Sequence, residues 1–334
     1  MSDWQLNTAV AFIIFNRPAV TERVFAEIAK AKPPKLLVIA DGPRANRPGD
    51  AELCAATRAI IDRVDWNCDV RTNYSVVNLG CRYRVSSGLD WVFETVEEAI
   101  ILEDDCLPHP AFFRFCEELL TKYRHDTRVA MIRGDNFPGT SLKDFDYRFS
   151  IYPGIWGWAS WRRVWKKYDV DMKQWPGERN EAWLRDWLGS ASVARVWERF
   201  FEKTFAGEID TWDFQFIFAI WCQFQLSIIP RANLISNIGA GPDSTHVMDA
   251  RNPRLNRKLE DLAFPLWHPV NVVRYGSHDA VGEKYAAVLE RRMSHYVQHL
   301  ICILETILRL KWFRYLKRFV NRVIGVQGER LRKF

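Results

Sequence analysis

Short apolar runs alternate with amphipathic stretches through the first hundred residues. "AVAFIIF", residues 9–15, is β-branched and aromatic and stops at Asn16-Arg17-Pro18. That pattern predicts a buried strand entering a helix with proline in its first turn. Val20, Val24, Phe25 and Ile28 carry helical spacing over 18–31, and Pro33-Pro34 ends it. "KLLVIA" predicts a second strand, closed by the turn signature Asp41-Gly42-Pro43. A helix near 51–64, a strand near 69–76, a break at Asn78-Leu79-Gly80 and a helix near 82–97 follow. The strand "AIILE" then runs straight into Glu103-Asp104-Asp105. Strand–helix alternation with apolar strands predicts an α/β fold whose mostly parallel central sheet is flanked by helices. In such sheets ligands gather beyond the strands' carboxyl ends. Asn16-Arg17, Asp41 and the acid triplet all fall at such ends, and three coinciding ends say more than any one.

Near residue 150 the composition shifts. Ten of the fifteen tryptophans lie between Trp156 and Trp221. They suit a bulky core, or a groove whose flat walls pack on sugar faces or on a lipid-linked acceptor; both readings stand. The polar segment 239–257, rich in Gly, Pro, Asn and Asp, has the length of a site loop or lid. Residues 301–324 place Leu304, Leu308, Trp312, Tyr315, Phe319 and Val323 on one helical stripe, with Arg314, Lys317, Arg318 and Arg322 mostly on another side. That predicts a basic amphipathic helix suited either to an anionic membrane surface or to packing on the body.

At 334 residues, 48% hydrophobic and 26% charged, the chain can bury a substantial core and is not of disordered composition. The net charge of +6 is local: residues 301–334 hold nine Lys/Arg against Glu305 and Glu329, leaving 38 basic and 39 acidic groups elsewhere. A nearly neutral body argues against nucleic acid as a partner. The seven cysteines form no CxxC pair, so reduced thiols in a cytoplasmic compartment are expected. Neither a signal peptide nor an apolar run of spanning length is expected.

Three adjacent carboxylates repel one another unless water or a cation relieves them. One aspartate before Pro108 and Pro110 could simply cap the helix "AFFRFCEELL". Alternatively, one or two carboxylates at a rigid strand end can hold a divalent cation that stays open to phosphate oxygens, while a neighbouring acid takes sugar hydroxyls.

Here the chain resembles the GT-A-fold nucleotide-sugar glycosyltransferases, closest in pattern to the N-acetylglucosaminyltransferase I type and related bacterial proteins. "VAFIIFNRPAVTERV" resembles that family's first strand and nucleotide-binding turn, and "LLVIADG" its second strand. "IILEDDCLPHPAFFRFCEELL" resembles its DXD motif in a Glu-Asp-Asp version with the Phe-rich helix after it. "MIRGDNF" resembles the next strand and donor-sugar turn, "GIWGWASWRRVW" the acceptor-side segment, and "TWDFQF" the segment bearing the catalytic base. The resemblance spans about residues 9–246.

The resemblance implies a catalytic domain over 1–250, with a nucleotide-sugar half (1–140) and an acceptor half (141–250), and a helical C-terminal extension over 251–334. It implies a metal-dependent, inverting hexosyl- or N-acetylhexosaminyl-transferase, using Mn2+ or Mg2+ and a nucleotide-sugar donor, UDP-sugar favoured. The acceptor would be a glycan or lipid-linked hydroxyl, and the enzyme would be cytoplasmic, with peripheral contact at the inner membrane face through 301–324. Asp105 and His246 would hold the metal; Glu103 and Asp104 would take ribose, sugar or metal-bound water; Arg17 and Asp41 would hold the nucleotide. Arg82, with Arg84, would face the diphosphate or solvent, Asp135 or Asn136 would touch donor-sugar hydroxyls, and Asp213 would be the general base. Each has a plain alternative: Asp213 merely opens a helix, Arg17 neutralises a nearby acid, and His246 is a loop histidine. Two rivals remain: a sugar-nucleotide nucleotidyltransferase, which the lack of a Gly-rich basic loop after the first strand disfavours, and a catalytically silent membrane-docked binding protein of the same fold.

Overall fold

The computed structural model describes residues 4–137, 144–179, 182–240, 252–274 and 279. All belong to one unit, Met1–Gly282. The predicted amphipathic helix 301–324 and His246 lie outside the described residues, among which no helix is long and apolar enough to cross a membrane.

Ten strands and nine helices are formed among the described residues. The strands are β1 (Val10–Ile14), β2 (Lys35–Ala40), β3 (Asp69–Tyr74), β4 (Glu98–Glu103), β5 (Cys106–Pro108), β6 (Val129–Arg133), β7 (Tyr147–Ser150), β8 (Trp158–Trp161), β9 (Leu226–Pro230) and β10 (Ile235–Asn237). The helices are α1 (Pro18–Ala31), α2 (Asp50–Ala59), α3 (Gly80–Thr95), α4 (Pro110–Tyr123), the short α5 (Arg162–Trp165), α6 (Trp175–Glu178) and α7 (Trp183–Leu188), then α8 (Ala191–Phe205) and α9 (Asp213–Trp221).

Eight strands build a mixed sheet in the order β3-β2-β1-β4-β8-β6-β9-β7, flanked by helices. From β3 to β4 every pairing is parallel. β8 runs antiparallel to both β4 and β6, so β6 points the same way as β4. The carboxyl ends of β1, β2, β4 and β6 therefore share one edge. A second, two-stranded sheet of β5 and β10 sits beyond the acid triplet. The apolar runs become strands because they are buried on both faces: every residue of β1 is buried, as in parallel sheets covered by helices. β3 is the edge strand and keeps its polar side chains exposed.

Helix ends follow local chemistry. α1 starts at Pro18, buries Thr21, Val24, Phe25 and Ile28 along one stripe, and stops at the left-handed Lys32. α4 starts at Pro110 and is capped by the ring of His109, whose Nδ1 accepts from the Ala111 amide at 3.2 Å. No aspartate of the triplet caps it, because the chain forms β5 before the helix begins.

Seven of the ten clustered tryptophans are buried: Trp158, Trp161, Trp165, Trp175, Trp197, Trp212 and Trp221. Trp158 on β8 stacks on Trp212 at 5.9 Å and packs on Phe216 of α9 at 5.1 Å. The core reading thus accounts for most of this cluster. The chain past residue 250 also joins the same body. Leu255, Leu262 and Leu266 are buried, and Asp146 holds Trp267 twice, its amide donating to the Trp267 carbonyl at 3.0 Å and its Oδ2 accepting from the Trp267 amide at 2.6 Å. The six described cysteines are unpaired thiols.

Because Trp158 is fully buried and its indole N–H has no partner, two substitutions should separate packing from polarity. Trp158→Ala is expected to cost about 3–5 kcal/mol in denaturant unfolding. Trp158→Phe, which also removes the orphaned donor, should cost clearly less.

Candidate active site: an acid corner at the carboxyl edge of the sheet

β4 ends at Glu103, and the chain turns at once through Asp104 and Asp105 into β5. The turn holds three carboxylates together, and one cation answers them. The Arg17 guanidinium, delivered by the turn between β1 and α1, bridges Asp104 Oδ1 and, at 3.0 Å, Asp105 Oδ2. Burial opposes the charge on Arg17, but the two aspartates outweigh it and hold its pKa above the ordinary value. Arg17 therefore does what its plain alternative describes, neutralising acids, and it does so across 87 residues of sequence.

One cation does not balance three acids. Burial raises the Glu103 pKa well above the carboxylate range, and the charges of Asp105, Asp104 and Asp213 add to it. Its Oε1 is buried without a hydrogen-bond partner. Burial also pushes Asp104 up to about 6, against the pull of Arg17. Asp105 is the more accessible of the two aspartates, its side chain 15% exposed against 6% for Asp104. Its Oδ1 lies 3.4 Å from the amide of Asn237, and its carbonyl accepts from the Ile238 amide at 2.8 Å. A Cβ on Gly239 would stand 2.1 Å from Asp105 Oδ2, so glycine lets the chain that leads toward His246 cross directly over this carboxylate.

Asp213 opens α9, where a first-turn acid suits the helix dipole. Its Oδ1 accepts from the Thr211 hydroxyl and from the Phe214 amide. Buried Trp212, stacked on Trp158, fixes this segment. Asp213 approaches closely enough for its charge to raise both Glu103 and Cys81. Cys81, in the first turn of α3, has its thiol pushed far up by burial and then by Glu103, Asp213, Asp210 and Asp41. The fold thus brings together Arg17, Glu103, Asp104, Asp105 and Asp213.

The other expected residues are engaged elsewhere. Asp41 accepts four bonds: from the amides of Gly42 and Leu79 on Oδ1, and from Asn78 Nδ2 and the Gly80 amide on Oδ2, all between 2.8 and 3.0 Å. With both oxygens saturated, Asp41 organises the turn into α3 and leaves no lone pair for a base N–H. Arg82 is buried and donates to the carbonyls of Val170 at 2.7 Å and Thr204 at 3.5 Å. Arg84 likewise bonds the carbonyl and side chain of Asn73. Asp135 gives both oxygens to buried Arg133; burial works against its charge, yet Arg133 holds its pKa down. Asn136 donates to the Arg231 carbonyl, and its own amide bonds Asn233 Oδ1. Both residues are buried, at 3% and 2% exposed.

Two structural carboxylates went unread in the sequence. Asp50 at the start of α2 accepts from the backbone, Nε and Nη2 of Arg44 and from Asn16 Nδ2, tying the Asp41 loop to the end of β1. Asp210 accepts from the Arg82 amide at 3.1 Å, capping α3 from 128 residues away. The only local signal was an acid just outside an apolar segment, which many surface acids share.

Hard carboxylate oxygens are the donor type that Mn2+ or Mg2+ takes, and the orphaned Glu103 Oε1 together with the surplus negative charge suits a cation there. Among the described residues, no group of three or more His, Cys, Asp and Glu is arranged to hold a metal by itself. A divalent ion at Asp105 would thus be completed by water and phosphate oxygens, with His246 outside the described residues.

No protein-family model matches this chain, and no curated protein does. Among solved structures it is similar to S. aureus TarS 1-349, with a TM-score of 0.35, 9% identity and coverage of 50% of this chain and 51% of that one. The chain therefore spans about half the length of that structure. It is also similar to a 4-diphosphocytidyl-2C-methyl-D-erythritol synthase from Anaerococcus prevotii, with a TM-score of 0.32, 12% identity and coverage of 52% and 86%. A UDP-glucose pyrophosphorylase complexed with UDP-glucose gives 0.29, 10% identity and coverage of 52% and 83%. At these values the likeness is partial and says nothing of activity.

The Asp50 network gives a pH dependence. Hydrogen bonds from Arg44, then from Asn16, hold Asp50 down at about 2, against burial. A depressed carboxylate stabilises the fold above its unfolded value near 3.9 and loses that contribution as pH falls toward 2. With Arg44 32% exposed, solvent screening reduces the effect to about 1–2 kcal/mol. In Asp50→Asn, unfolding free energy should be lower near neutral pH and should fall less steeply between pH 4 and pH 2.

Proposed function

We propose that this protein is a metal-dependent, inverting glycosyltransferase of GT-A type, moving a sugar from a nucleotide-sugar donor, UDP-sugar favoured, to a hydroxyl of a glycan or lipid-linked acceptor. The observation that carries this reading is the convergence, at the carboxyl end of β4, of Arg17, the Glu103–Asp105 turn and Asp213 from a segment more than a hundred residues away. A structural acid is saturated with donors, as Asp41, Asp50 and Asp135 are. Glu103 keeps an unpartnered buried oxygen, and the turn keeps more negative charge than Arg17 answers.

In glycosyl transfer from a nucleotide sugar, negative charge grows on the diphosphate as the bond between sugar and phosphate oxygen breaks. A divalent ion held at Asp105 supplies the countercharge. Arg17 presents a planar cation beside the same turn; its bonds to Asp104 and Asp105 fix its position and leave other guanidinium N–H groups for phosphate oxygens. Glu103 and Asp104, on rigid backbone, offer oxygens to sugar or ribose hydroxyls. Asp213 accepts the proton of the acceptor hydroxyl as that oxygen attacks the anomeric carbon opposite the leaving diphosphate, which inverts the centre. Thr211 and the Phe214 amide both bond Asp213 Oδ1 and orient the carboxylate.

The test is a screen of UDP-, GDP- and dTDP-sugars by thermal shift and slow donor hydrolysis, with and without manganese. At least one donor should stabilise the protein in a manganese-dependent way; no response to any nucleotide at any metal concentration rejects the reading. Asp105→Ala should abolish the manganese-dependent part of donor binding. Asp213→Asn should bind donor with little change and lose about 10²–10⁴-fold in turnover. Near-normal turnover would place the base elsewhere.

A further inference from the structure

Along the same edge a corner of opposite sign begins at β6, two strands from β4, and reaches β7, four strands from it. Arg148 on β7 is only 2% exposed. Its Nε and Nη1 have no hydrogen-bond partner, and its Nη2 reaches Asn136 Oδ1 only at 3.4 Å. A guanidinium carries five N–H groups, and burying one without an anion is costly. The nearby carboxylates are already engaged: Asp135 by Arg133, and Asp279 by Arg274 and the Ser150 hydroxyl. Burial, then repulsion from Arg133, presses the Arg148 pKa to about 10, so it stays charged at neutral pH.

Two further guanidinium groups meet the same place. Arg257 donates to the Asn136 carbonyl. Arg254 lies 4.3 Å from the ring centre of Trp156 and 5.1 Å from that of Phe137, and the charges of both arginines act on Asp135. Among the described residues, Asp135 and Asp279 are the acids whose charges act on Arg148, and Arg254 and Arg257 also act on Asp135. Space is made for this: a Cβ on Gly154 would lie 2.2 Å from Arg133 Nε.

The register fixes where this corner stands. Trp158 of β8 pairs with Ile101 on one side and with Arg133 on the other. Glu103 and Asp135 lie two residues beyond these partners in the same direction, about 10 Å apart across two strand spacings, and Arg148 on β7 stands two strands further on, about 20 Å from β4. The nucleotide side of the proposed site, at Arg17 in the turn after β1, lies the other way.

We propose that the cluster around Asn136 is an anion subsite, and that the acceptor carries a phosphate or carboxylate group that binds there. The term acceptor rests on the transferase reading above; the anion subsite rests on Arg148 and its neighbours alone. The anion places oxygens against the unpartnered N–H groups of Arg148 and against Arg257, in the paired geometry that guanidinium groups offer to phosphate and carboxylate.

Thermal shift and calorimetry on the full chain, at constant ionic strength with chloride as control, test it with inorganic phosphate and with glucuronate. Wild-type protein should gain roughly 2–4 °C at saturating probe. Arg257→Gln should bind the same probe at least about tenfold more weakly. Arg148→Met should lose the response while its melting temperature without anion stays level or rises, because a buried unpaired charge has been removed. A response to phosphate alone assigns a phosphate-bearing acceptor, and a response to glucuronate alone assigns a carboxylate-bearing one. No response to either beyond chloride overturns the proposal, as does an Arg148→Met protein that is destabilised without anion yet responds fully. UDP titration of the same variants separates the two readings: unchanged UDP affinity with lost phosphate binding supports the subsite, and phosphate binding without any UDP binding leaves the subsite standing and removes the donor site.

Discussion

Arg17 is the constraint on which the acid corner depends. Three consecutive carboxylates at a strand end cannot share a buried turn on backbone geometry alone, and the one described cation that bridges two of them comes from the far side of β4, off the end of β1. The bridge joins two parallel strands at their carboxyl ends as well as neutralising charge. It leaves the turn still acidic: Glu103 is pushed toward its neutral form by burial and by its neighbours, and one of its oxygens has no partner. A turn of this kind is stable enough to form and unsatisfied enough to bind, and both properties come from a deficit of one or two positive charges.

Hydrogen bonding separates Asp41, Asp50 and Asp135, whose oxygens are all engaged, from Glu103, whose Oε1 has no partner, better than position does. Asp41, Asp50, Asp135 and Asp210 all stand at or near the ends of strands and helices, as a ligand-binding acid would. Each is nevertheless engaged by amides or arginines that hold loops in place: Asp41 by four N–H groups, Asp50 by Arg44 and Asn16, Asp135 by Arg133, Asp210 by the first turn of α3. These acids build the rigid frame that Glu103, Asp105 and Asp213 stand on. Pre-organisation of that sort lets a site present charge without first rearranging.

The frame was far more legible in the sequence than the engagement of its polar groups. Runs such as "AVAFIIF" and "AIILE" have no alternative to burial, so β1 and β4 follow from composition and length, and the prolines at 18 and 110 mark helix starts directly. The acid triplet was visible because three adjacent charges are locally improbable. What answers each charge is set by contacts across tens of residues, and no local pattern encodes it. Asp210 capping α3 from 128 positions away and Arg82 turning toward Val170 instead of the site are outcomes of packing. The tryptophans show the same limit: their number is plain in the sequence, but only the stacking of Trp158 on Trp212 divides core from surface.

The two corners also constrain each other. β8 is the one antiparallel strand between β4 and β6, and its residues just before Trp158 include Gly154 and Gly157, small enough to let Arg133 and Ile235 approach. If bulky residues stood there, Arg133 could not reach Asp135, and the charges of β6 would be pushed away from the edge. The glycine-rich entry to β8 thus lets Arg133 meet Asp135 about 10 Å from the acid turn, with Arg148 two strands further away. Arg148 cannot cross that distance, and Arg17 is already bound, so among the described residues neither corner satisfies the other. A ligand with separated charges of both signs, a bound cation at one end and an anionic group at the other, satisfies both at once.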